Sequence, residues 1–83
     1  MRDLTDRSYL PYLNKDKTCQ NIRRLIAESG MNYQDIADKT LQHRATIYKW
    51  ISNNVPSIDN MIALAYVLGV KIEDILVTDL RGI

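Results

Sequence analysis

Apolar positions along this chain recur at helical spacing and are interrupted by residues that end helices. Cys19, Ile22, Leu25, Ile26 and Ser29 follow the i, i+3, i+4, i+7 order, with Thr18 placed to cap and Gly30 placed after the last turn. They predict a first helix that starts at Thr18. Asn32 followed three residues later by Asp35 is a capping signature, and predicts a second helix that runs to about Thr40. Ile47, Trp50 and Ile51 mark one face of a third helix, which begins at His43 or Arg44 and ends near Ser52. Asn53 and Asn54 tolerate left-handed backbone and are expected to end it. Val55-Pro56 then forces extended chain.

Ser57 caps a fourth helix with Met61, Leu64, Ala65 and Leu68 on one stripe and Gly69 at its end. Ile58, Ile62 and Val67 widen that apolar face, so this helix is expected to be the most buried of the set. Ile72, Ile75 and Leu76 fit a short fifth. Residues 1–17 lack a helical period, and Pro11 argues against a helix inside the apolar knot Tyr9-Leu10-Pro11-Tyr12-Leu13. This segment reads as an arm folded over the domain or frayed; a strand that pairs with a second subunit is the alternative. Nothing reads as a strand pair within the chain, so the expected fold is all-α. The expected organisation is an arm over 1–17, a helical domain over 18–77 and a tail over 78–83.

Length and composition narrow the possibilities. Eighty-three residues make at most one small domain, and 46% apolar with 25% charged residues is ordinary for a globular chain. No apolar run approaches the ~20 residues of a membrane span, and no signal-peptide core is visible. The single Cys19 excludes an internal disulfide, so a reducing cytoplasm is expected. Cys19 lies on the apolar stripe, which fits a small core residue better than a reactive thiol. One cysteine and one histidine, His43, cannot make a four-ligand zinc site alone, and no other cofactor is implied. Nor does the chain offer a nucleophile–base pair, so an enzyme is not expected.

Net charge is only +1, but it is unevenly placed. From Lys39 to Asn54 there are Lys39, Arg44 and Lys49 and no acid, whereas residues 59–83 carry Asp59, Glu73, Asp74 and Asp79 against Lys71 and Arg81. The outward positions of the third helix are His43, Arg44, Ala45, Thr46, Tyr48 and Lys49, all cationic, hydrogen-bonding or small. A helix buried on one side and cationic on the other suits the DNA major groove. Arg23 and Arg24 lie off the first helix's stripe and read mainly as solvated.

From about Ile22 to Leu76 the chain resembles the lambda-repressor and Cro-like helix-turn-helix family, also called the xenobiotic-response-element group. The resemblance rests on Gly30, Ile36-Ala37, Ile47, Trp50, Pro56, Leu64, Leu68-Gly69-Val70 and Ile75-Leu76 at the family's spacing. It implies a compact five-helix lambda-repressor-like domain, with the helix-turn-helix formed by the second and third helices. Four positions depart from the pattern. Leu41 stands where the inter-helix turn usually has glycine, and Gln42 where an aliphatic residue is usual; Leu41 could then supply the missing plug. Asn53 replaces the glycine after the third helix, and Tyr33 the glutamine that opens the second. Ile26 and Ile51 replace a buried arginine and glutamate, and are expected to touch in the core.

The resemblance implies a recognition helix over about 44–52 in the major groove, with His43, Arg44, Ala45, Tyr48 and Lys49 near base edges. Thr46 would meet a phosphate or a thymine methyl. Tyr33 and the N–H groups opening the second helix would hold one phosphate, and Asn53 and Asn54 another. Plain surface remains open for Tyr48, and a capping role for His43. The expected function is sequence-specific double-stranded DNA binding by a small bacterial or phage transcriptional regulator, repressor-like and cytoplasmic. It would act as a homodimer on a palindromic site, without a small-molecule effector. A protein-interaction or antitoxin-type module of the same fold is the alternative.

Overall fold

The computed structural model describes residues 10–81. Tyr9 and the rest of the expected arm before Leu10, with Gly82 and Ile83 of the expected tail, lie outside the described residues. Five helices follow one another: α1 (Lys15–Ser29), α2 (Tyr33–Thr40), α3 (Arg44–Trp50), α4 (Ile58–Leu68) and α5 (Ile72–Ile75). They are bracketed by two short strands, β1 (Leu10–Leu13) and β2 (Thr78–Arg81), which pair antiparallel. The fold is the expected five-helix body with one addition, because a strand pair does exist. It joins the two ends of the described chain, with Leu10 opposite Arg81 and Leu13 opposite Thr78.

The core is the set of apolar stripes read from the sequence. Ile22, Ile26, Ile36, Ala37, Ile47, Trp50, Leu64, Ala65 and Ile75 form one buried cluster, bordered by Leu25, Tyr33, Ile51, Val67 and Leu68. Ile26 is therefore inside and Ile51 at the rim, half-buried. Cys19 is fully buried, and burial, reinforced by the Asp16 carboxylate, pushes its thiol pKa up. That suits a packing residue and not a thiolate.

Helix α1 starts three residues before the expected Thr18. Asn14 is the cap, accepting the Lys17 N–H at 2.9 Å through Oδ1. Thr18 is instead fully buried within the helix, where its hydroxyl accepts the Val77 N–H at 3.0 Å. The side chain expected to start the helix thus ties it to the segment before β2. Asn21 adds a second tie, donating to the carbonyls of Asp74 at 2.7 Å and Ile75 at 2.9 Å at the end of α5.

Helices α2 and α4 begin where expected. Asp35 N–H donates to Asn32 Oδ1 at 2.8 Å and Asn32 N–H to Asp35 Oδ2 at 3.2 Å, a reciprocal capping box. Ser57 Oγ accepts the Asn60 N–H at 3.3 Å. Helix α4 is not the most buried of the set, contrary to expectation, with three buried residues of 11 against three of 8 in α2. Met61, Leu64 and Ala65 face the core, but Ile58 and Ile62 are more than half exposed and Tyr66 is almost wholly so. Val67 does widen the buried stripe, at its border, whereas Ile58 and Ile62 join Tyr66 in a second stripe on the outside.

Candidate nucleic-acid interface

The turn between α2 and α3 sets the direction of the third helix, and its geometry differs from the expected one. Leu41 adopts φ 59° and ψ 38°, the left-handed conformation usually reserved for glycine. Among the described residues it is the sole non-glycine residue with positive φ. Its side chain is 90% exposed, so it plugs nothing. Gln42 turns inward instead, half-buried, with its N–H donating to the Ala37 carbonyl at 2.9 Å and Nε2 to Asn60 Oδ1 at 3.3 Å on α4. An amide thus takes the place of an aliphatic plug by finding a polar partner across the gap.

From this turn α3 runs with Ile47 and Trp50 buried and the opposite face in solvent. Arg44, Ala45, Tyr48 and Lys49 are exposed together along that face, while Thr46 is half-buried at its border. Among the described residues neither Arg44 nor Lys49 has an ion-pair or hydrogen-bond partner for its side chain. The face carries positive charge, and the chain has no acid from Lys39 to Asn54 to neutralise it.

The flanks of the helix hold the other expected residues. His43 occupies the N-cap position of α3, exposed, but its side chain makes no capping bond. Tyr33 begins α2 and is half-buried against the core. Its ring meets that of Tyr48 edge-on, with centroids 5.2 Å apart and planes at 71°. This contact joins the start of α2 to the outer face of α3. Fifteen residues separate the two tyrosines, so no local sequence signal pairs them. The N–H groups of Tyr33 and Gln34, in the first turn of α2, have no bonding partner among the described residues. Gln34 was not singled out in the sequence; its signal is only its place as the second residue after the cap.

At the other end, α3 does not finish in left-handed asparagine. Asn53 and Asn54 keep negative φ, and both donate their N–H groups to the Lys49 carbonyl, at 3.2 and 3.0 Å. Ser52 N–H bonds to the same oxygen at 3.2 Å. Converging on one carbonyl closes the helix without a left-handed residue. It also commits the backbone donors of both asparagines, leaving their exposed side-chain amides for any ligand. Arg44, Ala45, Tyr48 and Lys49 thus share one face, with Tyr33 joined to it by a ring contact and His43, Asn53 and Asn54 at its two ends.

Helix α2 packs against α3 and α4, and the exposed helix of the pair is cationic; that arrangement defines a helix-turn-helix. The Cro/C1-type HTH DNA-binding domain profile matches residues 21–79, and the chain belongs to that family. It is a helix-turn-helix DNA-binding protein of the transcription-regulator type. The comparison with curated proteins finds no match. No helix among the described residues is long and apolar enough to cross a membrane.

Proposed function

We propose that this protein is a sequence-specific regulator of transcription, repressor-like and of the bacterial or phage type, acting in the cytoplasm. It works as a homodimer on a palindromic site and needs no small-molecule effector. The observation that carries this reading is the acid-free outer face of α3, where Arg44 and Lys49 stand exposed and uncommitted to any intramolecular partner. Arg44, in the first turn, makes a bidentate contact to guanine, and Lys49 a longer-range contact one turn on. Ala45 and Tyr48 pack on base edges between them, and His43 reaches a base or phosphate at the near end. Thr46 meets a phosphate or a thymine methyl. Tyr33, with the N–H groups of the first turn of α2, holds one backbone phosphate, and the amides of Asn53 and Asn54 hold another.

Selection of bound duplexes from a random library tests the reading, followed by titration of the selected site against salt. The expected result is a symmetric site with half-sites about one helical turn, ~34 Å, apart. Log K should fall linearly with log salt. Arg44→Ala should lose about 1–3 kcal/mol of discrimination at one base position of each half-site. An unchanged ratio of selected to scrambled binding would remove Arg44 from the base-reading set.

The apolar outer stripe of α4 favours a second reading. Ile58, Ile62 and Tyr66 are exposed at spacings of four residues, as on a surface that docks another protein. On that reading the chain is an interaction or antitoxin-type module, and salt-insensitive, sequence-indifferent behaviour toward duplex DNA would support it.

A further inference from the structure

Tyr48 differs from its neighbours on the outer face of α3 in being held. The Arg44 and Lys49 side chains extend on long stems with no partner among the described residues. Tyr48 turns on only two side-chain torsions, and its ring packs edge-on against Tyr33 with centroids 5.2 Å apart. Tyr33 is itself fixed, because it borders the buried core cluster and directly follows the Asn32 capping box that starts α2. Support therefore runs from the core through Tyr33 to Tyr48. At the end of that chain 45% of Tyr48 is still exposed. Ala45, exposed one turn earlier on the same face, places a methyl group beside it without bulk. The result is a small apolar surface, set in advance, between two cations.

In the major groove the apolar group that a base pair offers is the pyrimidine 5-methyl, carried by thymine and by 5-methylcytosine. We propose that the Tyr48 ring, with Ala45 beside it, reads that methyl group, and that Tyr33 is the positioning residue that holds the ring. The inference rests on the DNA-binding reading above and names one group that its recognition helix discriminates. Thr46 offers a methyl contact too, but it is half-buried at the border of the face. A methyl group is small, so reading it depends on how little is lost in making the contact. A ring already ordered in the free protein keeps the gain from burying the methyl, since little side-chain entropy is given up on binding. The hydroxyls of both tyrosines lack a partner among the described residues, so ring packing is what joins them. In Tyr33 the ring supports Tyr48 and the hydroxyl serves the phosphate, and substitution separates the two.

Competition binding on the selected duplex tests this, with uracil placed for each thymine in turn and 5-methylcytosine for each cytosine. Each variant is compared with itself on the methylated and unmethylated duplexes, so its folded fraction cancels from the ratio. For wild type, one position in each half-site should prefer the methylated base about fourfold, the worth of one buried methyl-sized group. A loss with uracil identifies thymine as the source; a gain on methylating cytosine identifies 5-methylcytosine. Tyr48→Ala should bring the ratio to one, whereas Tyr48→Phe should keep it. Tyr33→Ala should also lower the ratio, although Tyr33 does not reach the base. Tyr33→Phe should restore it while every duplex binds more weakly, through the lost phosphate contact. Loss of the ratio in Tyr48→Phe would show that the hydroxyl reads the base and would overturn the proposal. A ratio that survives Tyr48→Ala would overturn it too, and move the methyl contact to Thr46. An unchanged ratio in Tyr33→Ala would overturn the positioning role. Salt-dependent binding with no methyl-sensitive position would overturn the inference and leave the DNA-binding reading standing. Failure to select any duplex would remove both.

Discussion

The outer face of α3 and the region where α1 meets β2 are both polar, yet they treat polar groups in opposite ways. Along α1, the polar side chains that face the β2 segment and the end of α5 have intramolecular partners. Asn14 holds Lys17 and Asp79, Thr18 holds Val77, Asn21 holds the end of α5, and Arg24 is clamped by Glu28 and Asn21. On α3 the cations Arg44 and Lys49 bond to nothing in the described chain. Groups that close a fold are satisfied within it; groups that meet a ligand are held in place by apolar neighbours and left open. The anchoring of α3 is correspondingly lean, with Ile47 and Trp50 as its buried residues.

The sharpest way to break this contrast is to remove the anchor of α3. Ile47 is fully buried, and Ile47→Ala should cost about 2–5 kcal/mol, through lost transfer energy and the cavity left behind. Thermal or urea unfolding measures it, and DNA affinity should fall in parallel because the cationic face loses its support. Unchanged stability would mean that α3 is held by something other than its apolar face.

At the other pole, Thr18→Val keeps the shape of the side chain and removes its hydroxyl. The Val77 N–H is then left in a part-buried site without its acceptor, a loss of about 1–3 kcal/mol. Stability should drop while the DNA affinity of the folded fraction stays at the wild-type value, since no group near α3 is touched. A parallel loss of affinity would show that the two regions are not separable.

A smaller effect sharpens the reading of the open face. Lys49→Ala should weaken binding to selected and scrambled duplexes about equally and lower the salt slope by about 1, as for a phosphate contact. A loss confined to the selected duplex would move Lys49 into the base-reading set beside Arg44.

The sequence made the open face legible and hid much of the closed one, for a physical reason. Amphipathic period, the Asn32–Asp35 box and the Ser57 cap are short-range signals, and each predicted its helix. Placement of Arg44, Ala45, Tyr48 and Lys49 on one exposed face follows from the same period. Asn14 and Thr18 are both good capping residues four positions apart, and only the long-range bond from Thr18 to Val77 decides between them. The strands could not be read, because a four-residue run containing proline has no strand signal until its partner arrives from near the far end of the chain. Asn53 was expected to be left-handed from its residue type, whereas the three bonds to the Lys49 carbonyl close the turn another way. The Tyr33–Tyr48 ring contact is likewise tertiary and left no trace in spacing.

The smallest effect expected lies at the turn that joins the core-packed α2 to the open α3. Helices α1 and α4 end in left-handed glycines, Gly30 at φ 76° and Gly69 at φ 71°. Helix α2 ends in a left-handed leucine, and for an L-residue with a Cβ that conformation costs roughly 1–2 kcal/mol. Leu41 recovers little of this by packing, since its side chain is 90% exposed. Leu41→Gly removes the strain but gives the unfolded chain more freedom, worth roughly 0.5–1 kcal/mol in the opposite direction. The difference should be a gain of about 0.5 kcal/mol, visible as a higher urea midpoint at unchanged slope. Leu41→Asn should fall between glycine and leucine, because asparagine tolerates this region better than an aliphatic side chain. Leu41→Val should be the least stable, since branching at Cβ makes positive φ harder to reach. The order glycine, asparagine, leucine, valine identifies backbone strain as the governing quantity. An order that follows side-chain size or apolarity would mean that Leu41 is held by a contact, and that the turn belongs with the closed part of the molecule.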